Sequence, residues 1–422
     1  MPRVLLLLPT TTYRAPDFLE AAERLGVEVT VASERPSTLE RLNPGGLLTL
    51  DFRDAEGAAR RVREFAGSHR IDAVVGVDED TAVAAAAIAE SLGLTHNPVS
   101  AVRAARNKGL MRQRLLEAGV PAPRFRLHSL DDDPERAART VSYPCVLKPT
   151  FLAASRGVIR ADRESDFVAA WRRIAAILDD PEAARRGGAA AREILVEEFL
   201  PGGEVALEGL LERGRLRVLA LFDKPDPLDG PYFEETIYVT PSRLAPEAQE
   251  RIASVASSAA AALGLVDGPV HAELRVGAGG GEVRVLEIAA RSIGGLCSRT
   301  LRFGTGLSLE ELILRHALGS TVDGLDRESR AAGVMMIPIP RAGVLEGVDG
   351  IEEARAVPNV TDVTISAHPG QTLVPLPEGS RYLGFLFARA QTPGEAEEAL
   401  RRAHAALRFR IRNERGPSLH SG

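Results

Sequence analysis

The chain has 422 residues, 45% hydrophobic and 26% charged, with a formal net charge of −6, which is ordinary soluble globular composition with ample core. The negative balance offers no general attraction to nucleic acid or to an anionic membrane surface, and two cysteines, Cys145 and Cys297, are too few for a disulfide framework. The apolar run in the opening MPRVLLLLPTTT is too short for a signal-peptide core, and no run approaches the ~18 apolar residues of a membrane helix, so the expectation is a cytoplasmic protein. At roughly 150 residues per domain, the length suggests about three domains.

In chain order, RVLLLLP, APDFLEAAERLG and VEVTVAS read as strand, helix and strand, and IDAVVGVDEDTAVAAAAIAESLGL adds a buried strand and a helix. Continuous apolar strands alternating with helices predict a parallel sheet covered on both faces, here a first domain over residues 1–104. It contains neither a G-x-G-x-x-G turn nor a G-x-x-x-x-G-K-[ST] loop, so a nucleotide must be held another way. From 105 to 320 the pattern changes. NKGLMRQRLLEAG is a helix closed by Gly119, and PCVLKP is a short strand. The loop TFLAASRGV, a further strand, the helix ESDFVAAWRRIAAILDD and the strand EILVEEFL follow. Then come a hairpin in EVALEGLLERGRLRVLALFDK, the long loop PDPLDGPYFEETIY, a helix over 246–263 and a second hairpin in VHAELRVGAGGGEVRVLEIAAR. Residues 321–422 mix strands (GVMMIPIP, VTDVTISA, RYLGFLFARA) with helices (IEEARAV, GEAEEALRRAHAAL) before a frayed end, NERGPSLHSG. No internal repeat is visible.

The GAGGG run centres the second hairpin near Gly279–Gly281, which sets Glu273 opposite Glu287. Alternation then gives His271, Glu273, Glu287, Ala289 and Arg291 one face, and Ala272, Leu274, Val276, Leu286 and Ile288 the other. Directly opposed like charges destabilise a strand pair unless something lies between them. A divalent cation would remove that penalty, and paired carboxylates suit Mg²⁺. The plainer alternative is two glutamates splayed into solvent beside Arg275 and Arg284. Arg291, followed by Gly294 and Gly295, would bind a carboxylate or phosphoryl group in a forked geometry.

Taken together and in order, Lys108, VLKP with Lys148, the Ser-Arg-Gly loop, LVEEFLPGGE and LEIAAR resemble the ATP-grasp enzymes over roughly 105–300. SRGVIRAD, DKPDPLDGPYFEETIY, AARSIGGL and the tail with HPGQTLVPL resemble the L-amino-acid ligase branch, which joins a carboxylate to an amine using ATP. The resemblance implies an α/β and α+β protein. It would have a Rossmann-like N-terminal domain, an ATP-grasp domain of two small α+β subdomains (phosphate-loop subdomain at about 120–195), and a C-terminal α+β domain. It implies ATP and Mg²⁺ as cofactors and a nucleotide clamped between two small sheets. Lys108 and Lys148 would contact the α- and β-phosphates, and Ser155, Arg156 and Gly157 would form the loop over the phosphates. Glu197 and the backbone from Glu198 through Phe199 to Leu200 would hold the adenine edge, and Glu204 the ribose. Glu273 and Glu287 would hold Mg²⁺, and Arg291 would grip the acyl phosphate. Acceptor choice falls to Tyr232, Phe233, Glu234 and Glu235, with Gly294 and Gly295 leaving room near Arg291. His271 is either a general base or a structural histidine. The partners implied are a small-molecule carboxylate and an amine, with a homodimer by analogy.

The composition supports this assignment. Of 52 Lys and Arg only three are Lys, at 108, 148 and 224. Lys is a compact point charge that suits one phosphate oxygen, whereas Arg wants a flat, forked partner. Two of the three lysines fall on the family's phosphate positions. Lys224 is assigned to substrate or γ-phosphate, the alternative being a salt bridge with Asp223 or Asp226. One departure stands out: Ala289 occupies the place where most ATP-grasp enzymes carry an Asn metal ligand. Two rival readings remain, a bicarbonate-activating enzyme like biotin carboxylase and a catalytically idle nucleotide-binding protein.

Overall fold

The computed structural model describes residues 1–322 and 324–413; all of NERGPSLHSG beyond Asn413 lies outside the described residues. The chain forms two compact units. Unit one is Met1–Pro123, Val205–Leu221 and Leu244–Ser329; unit two is Arg124–Glu204, Phe222–Arg243 and the chain from Arg330 onward.

Unit one opens with a parallel sheet whose strands run in the order Leu47–Thr49, Glu28–Ser33, Arg3–Leu7, Ala73–Gly76. Val4 to Leu7 are wholly buried, as a strand covered on both faces requires. The covering helices have legible boundaries. Ala55–Ala66 is capped by Asp54, which accepts from the Gly57 N–H at 2.8 Å, and Ala82–Leu92 ends on Gly93 at φ 68°, the left-handed conformation favoured just past a helix. The loops after Arg3–Leu7 and Ala73–Gly76 carry Arg14 and Glu79.

A second core in unit one lies under the acidic hairpin, Gly268–Val276 with Val283–Ala289. Helix Pro246–Leu263 packs there through Ile252, Ala256, Ala259 and Leu263, and helix Lys108–Glu117 adds Met111 and Leu115. Small residues recurring at helical spacing let the long helix approach the hairpin closely. The register pairs His271 with Ala289 and Glu273 with Glu287, but shifts just beyond Glu273, so that Leu274 faces Val285. Leu286 is therefore the extra residue of a β-bulge. It is half-buried, and the core face runs Val283, Val285, Ile288 instead of through Leu286.

Unit two contains an antiparallel sheet in the order Phe125–Ser129, Glu193–Glu198, Cys145–Pro149, Ile159–Ala161. Helix Glu164–Leu178 covers it with Phe167, Trp171 and Ile174, at the i, i+4, i+7 spacing of a single face. Its C-terminal part orders Ile237–Thr240, Ala331–Ile337, Gly384–Ala390 and Val360–Ile365 as antiparallel neighbours. Helix Pro393–Ala406, started by a Thr392/Glu395 capping box, packs on them through Leu400 and Ala403. None of the described helices is long and apolar enough to cross a membrane.

Candidate active site

In unit one the hairpin gathers charge on one face. Lys108, first residue of its helix after the Asn107 cap, places Nζ 3.1 Å from Glu287 Oε2. Lys108 is 6% exposed, so its ammonium offsets the repulsion between the opposed Glu273 and Glu287. His271 lies between two acids, with Nδ1 3.3 Å from Glu208 Oε2 and Nε2 3.6 Å from Glu273 Oε1. Burial alone would lower the His271 imidazole, but hydrogen bonds to Glu208 and Glu273 outweigh it and raise it above its ordinary value. Glu208 is fully buried and also accepts from the Ile293 N–H at 2.9 Å. Burial holds its carboxyl above the usual range against the opposing pull of His271.

Arg291 extends from the same strand end. Its Nε donates to Glu79 Oε2 at 2.7 Å and its Nη1 to the Ser292 carbonyl at 2.9 Å. Burial would raise the Glu79 carboxyl, but Arg291 first, then Arg106 and Lys108, hold it below its ordinary value. Gly295 sits at φ 60°, and a Cβ on Gly294 would have as its nearest neighbour Arg291 Nη1, 4.0 Å away. Ala289 is buried opposite His271.

In unit two the other lysines follow the same rule. Lys148 donates from Nζ to Glu197 Oε2 at 2.6 Å, and both are buried. Lys224 donates to Glu204 Oε1 at 2.6 Å and to Glu235 Oε1 at 2.5 Å, 4.9 Å from the Tyr238 ring centroid. Its partners are thus neither Asp223, which accepts from Ser242 and Arg243, nor Asp226, which binds Arg401 and Thr236. All three lysines are buried against glutamates. Glu198 accepts from the Arg124 N–H at 3.0 Å and Nε at 2.7 Å, and the Phe199 N–H donates to the Pro144 carbonyl at 3.1 Å. The Arg160 guanidinium lies 4.1 Å over the Phe199 ring, which also neighbours Phe233. Leu200 follows in the link to strand Gly203–Glu212, half-buried.

The loop Ala153–Val158 bends through left-handed backbone at Ala154, Ser155 and Gly157 (φ 54°, 55° and 74°). Only glycine suits the last of these, because a Cβ there would stand 2.8 Å from Pro149 Cγ. Tyr232 bridges to Ile159 and accepts from Arg173. Glu234 is half-buried, and burial raises its carboxyl against an opposing Ile339 hydrogen bond.

The residues expected from sequence thus fall into two sets. His271, Glu273, Glu287, Lys108, Arg291, Gly294 and Gly295 belong to unit one. Lys148, Ser155–Gly157, Glu197–Leu200, Glu204, Lys224 and Tyr232–Glu235 belong to unit two. Two acids escape the sequence reading, Glu208 and Glu79. Glu208 has a signal, an acid inside the apolar strand run VALEGLL, and Glu79 lies in GVDED just past a buried parallel strand, where open α/β sheets place ligand-binding residues.

Three family models match the chain: an ATP-grasp N-terminal domain over residues 19–96, an ATP-grasp domain over 141–300, and an L-amino acid ligase C-terminal domain over 335–412. The chain thus carries ATP-grasp domains and an L-amino acid ligase C-terminal domain. Its structure is similar to that of the L-amino acid ligase from Bacillus licheniformis, with a TM-score of 0.82 and 29% identity over 98% of this chain and 99% of that one. In sequence it is 27% identical to alanine–anticapsin ligase of Bacillus subtilis over 61% of this chain. It is 29% identical to human carnosine synthase 1 over 64% of this chain. These matches span 56% and 34% of those two relatives. The fold is the mixed α/β ATP-grasp architecture, and its homologues and structural neighbours include C–N-bond-forming ligases.

Proposed function

We propose that this protein joins the carboxylate of one amino acid to the amine of another, forming an amide or dipeptide with release of ADP and phosphate. The observation that carries this reading is the strand pairing that sets Glu273 opposite Glu287 with Lys108 Nζ 3.1 Å from Glu287. The two opposed carboxylates can each offer an oxygen to one cation, a donor set that fits Mg²⁺. The metal, when held by Glu273 and Glu287, would neutralise charge on the β- and γ-phosphate oxygens.

The chain's own residues do the rest. Lys108 and Lys148 contact the α- and β-phosphates, and Lys224 the γ-phosphate or the substrate. Ser155, Arg156 and Gly157 cover the phosphates. Glu197 and the backbone from Glu198 to Leu200 hold adenine, and Glu204 the ribose. The substrate carboxylate oxygen attacks the γ-phosphorus, the bond to the β-phosphate oxygen breaks, and ADP leaves. The amine then attacks the acyl carbon and expels inorganic phosphate, while its surplus proton passes to solvent or to a nearby base. Arg291, freed from or shared with Glu79, steadies the acyl phosphate, and Tyr232, Phe233, Glu234 and Glu235 shape the acceptor site. Such chemistry depends on positioning and charge stabilisation more than on covalent help, and on shutting out water that would hydrolyse the acyl phosphate.

A phosphate-release screen against paired amino acids, followed by mass spectrometry, tests the proposal. It requires a product containing both amino acids and one ADP per bond. AMP as the nucleotide product, or turnover supported by bicarbonate alone, contradicts it.

A further inference from the structure

The C-terminal part of unit two reaches the loop assigned to the phosphates. The Gly157 N–H donates to the Pro377 carbonyl at 2.8 Å, and Arg156 Nε donates to the Glu378 carbonyl at 2.9 Å. The Glu378 carboxylate is gripped by Arg173, through Nη2 at 2.9 Å and through Nε. Arg173 in turn donates to Tyr232 Oη and lies 5.1 Å over that ring. The segment presenting these carbonyls is a tight turn. Gly379 N–H donates to the Pro375 carbonyl at 2.8 Å, and a Cβ on Gly379 would stand 1.8 Å from the Val374 carbonyl oxygen, so only glycine closes it.

Main-chain carbonyl oxygens and phosphate oxygens are alternative acceptors for the same donors, an N–H group and a guanidinium. The carbonyls of Pro377 and Glu378 therefore stand on two of the donors that the proposed function gives to the triphosphate. We propose that the turn Pro375–Gly379 is a built-in competitor of the nucleotide, which holds Gly157 and Arg156 in the free enzyme and is displaced by the triphosphate. The inference rests on residues 155–157 being the phosphate loop. The anchor suits an exchangeable contact: Arg173 and Glu378 side chains are 42% and 40% exposed, and exposed ion pairs are weak. The same anchor holds Tyr232, so releasing the turn also frees a residue of the acceptor loop, which links nucleotide binding to the acceptor side.

Hydrogen–deuterium exchange on the full-length protein tests this, with Mg²⁺ and a non-hydrolysable ATP analogue, reading peptides over 150–158 and 372–381. The expected result is slower exchange in the first peptide and faster exchange in the second. In parallel, Glu378→Ala is expected to bind the analogue about two- to fivefold more tightly, because the competing turn loses its anchor. If the first peptide is protected while the second is unchanged or slowed, the competition is overturned and the phosphate-loop assignment stands. If a bound analogue leaves the first peptide unchanged, that assignment falls and the proposal with it. A Glu378→Ala protein that binds no more tightly than wild type also overturns it.

Discussion

In the four-stranded sheet of unit two, Lys148 and Glu197 sit on neighbouring strands whose antiparallel register runs unbroken from Cys145 to Pro149. In the hairpin of unit one, the register that sets Glu273 opposite Glu287 breaks at the next residue. The first region pairs an ammonium with a carboxylate. The second opposes two carboxylates, brings Lys108 and His271 against them, and places a bulge beside them. The contrast shows where each region is specialised. A matched ion pair across a regular ladder balances its own charge, whereas opposed like charges beside an irregularity suit a bound cation.

The largest expected effect breaks the second region. Glu287→Gln should lower Mg²⁺-dependent ATP turnover by about 10²- to 10³-fold, the weight of a metal contact worth several kcal/mol, while circular dichroism stays that of the wild type. Activity retained at ordinary Mg²⁺ would remove the acid pair from the account. Next, Lys148→Arg, which keeps the charge in the first region but not its shape, should weaken ATP use by about tenfold or more. Arg124→Lys is the control, at a pair whose Arg side chain is 84% exposed, and there kcat and KM should hardly move.

A third test concerns the bulge. Leu274 is wholly buried, so Leu274→Ala should cost about 2–5 kcal/mol in denaturant unfolding. Leu286→Ala, at the half-buried bulge residue, should cost less than about 1 kcal/mol. Equal costs would mean an unbroken register. The smallest effect is a pH dependence. The Glu79 carboxyl is held below its ordinary value, so its contribution to stability is full above the unfolded carboxylate pKa of about 4.3 and is lost as pH falls through the lowered folded value. Glu79→Gln should therefore lower Tm by about 2–5 °C near neutrality, and the two melting curves should converge in acid. A constant difference across pH would contradict the Arg291–Glu79 pairing.

The same contrast explains what the sequence discloses. PCVLKP and EILVEEFL are short apolar runs bounded by Pro or by acidic residues, and a wholly or mostly buried strand forms at each, Cys145–Pro149 and Glu193–Glu198. The long helix runs Pro246–Leu263, since a Pro start and a Gly stop mark both ends. The glycine turn sets Glu273 against Glu287 without further information. Leu286 misleads because its chemistry belongs in a core and only the bulge turns it out. Helix Ala55–Ala66 is faint because its buried stripe is three alanines and Val62. Within the candidate site, scarcity singles out the lysines, and the structure adds that each is buried against a glutamate. What no local pattern reports is pairing at long range. Arg291 meets Glu79 from 212 positions away, and Lys224 passes over its acidic sequence neighbours for Glu204 and Glu235.

The most direct test of the account follows the oxygen atoms. With a substrate carboxylate labelled with ¹⁸O, an acyl-phosphate route transfers one labelled oxygen to the released inorganic phosphate for each amide formed, detectable by ³¹P NMR. That is the predicted result. Label appearing in AMP, or phosphate released without label while the amide accumulates, would contradict it.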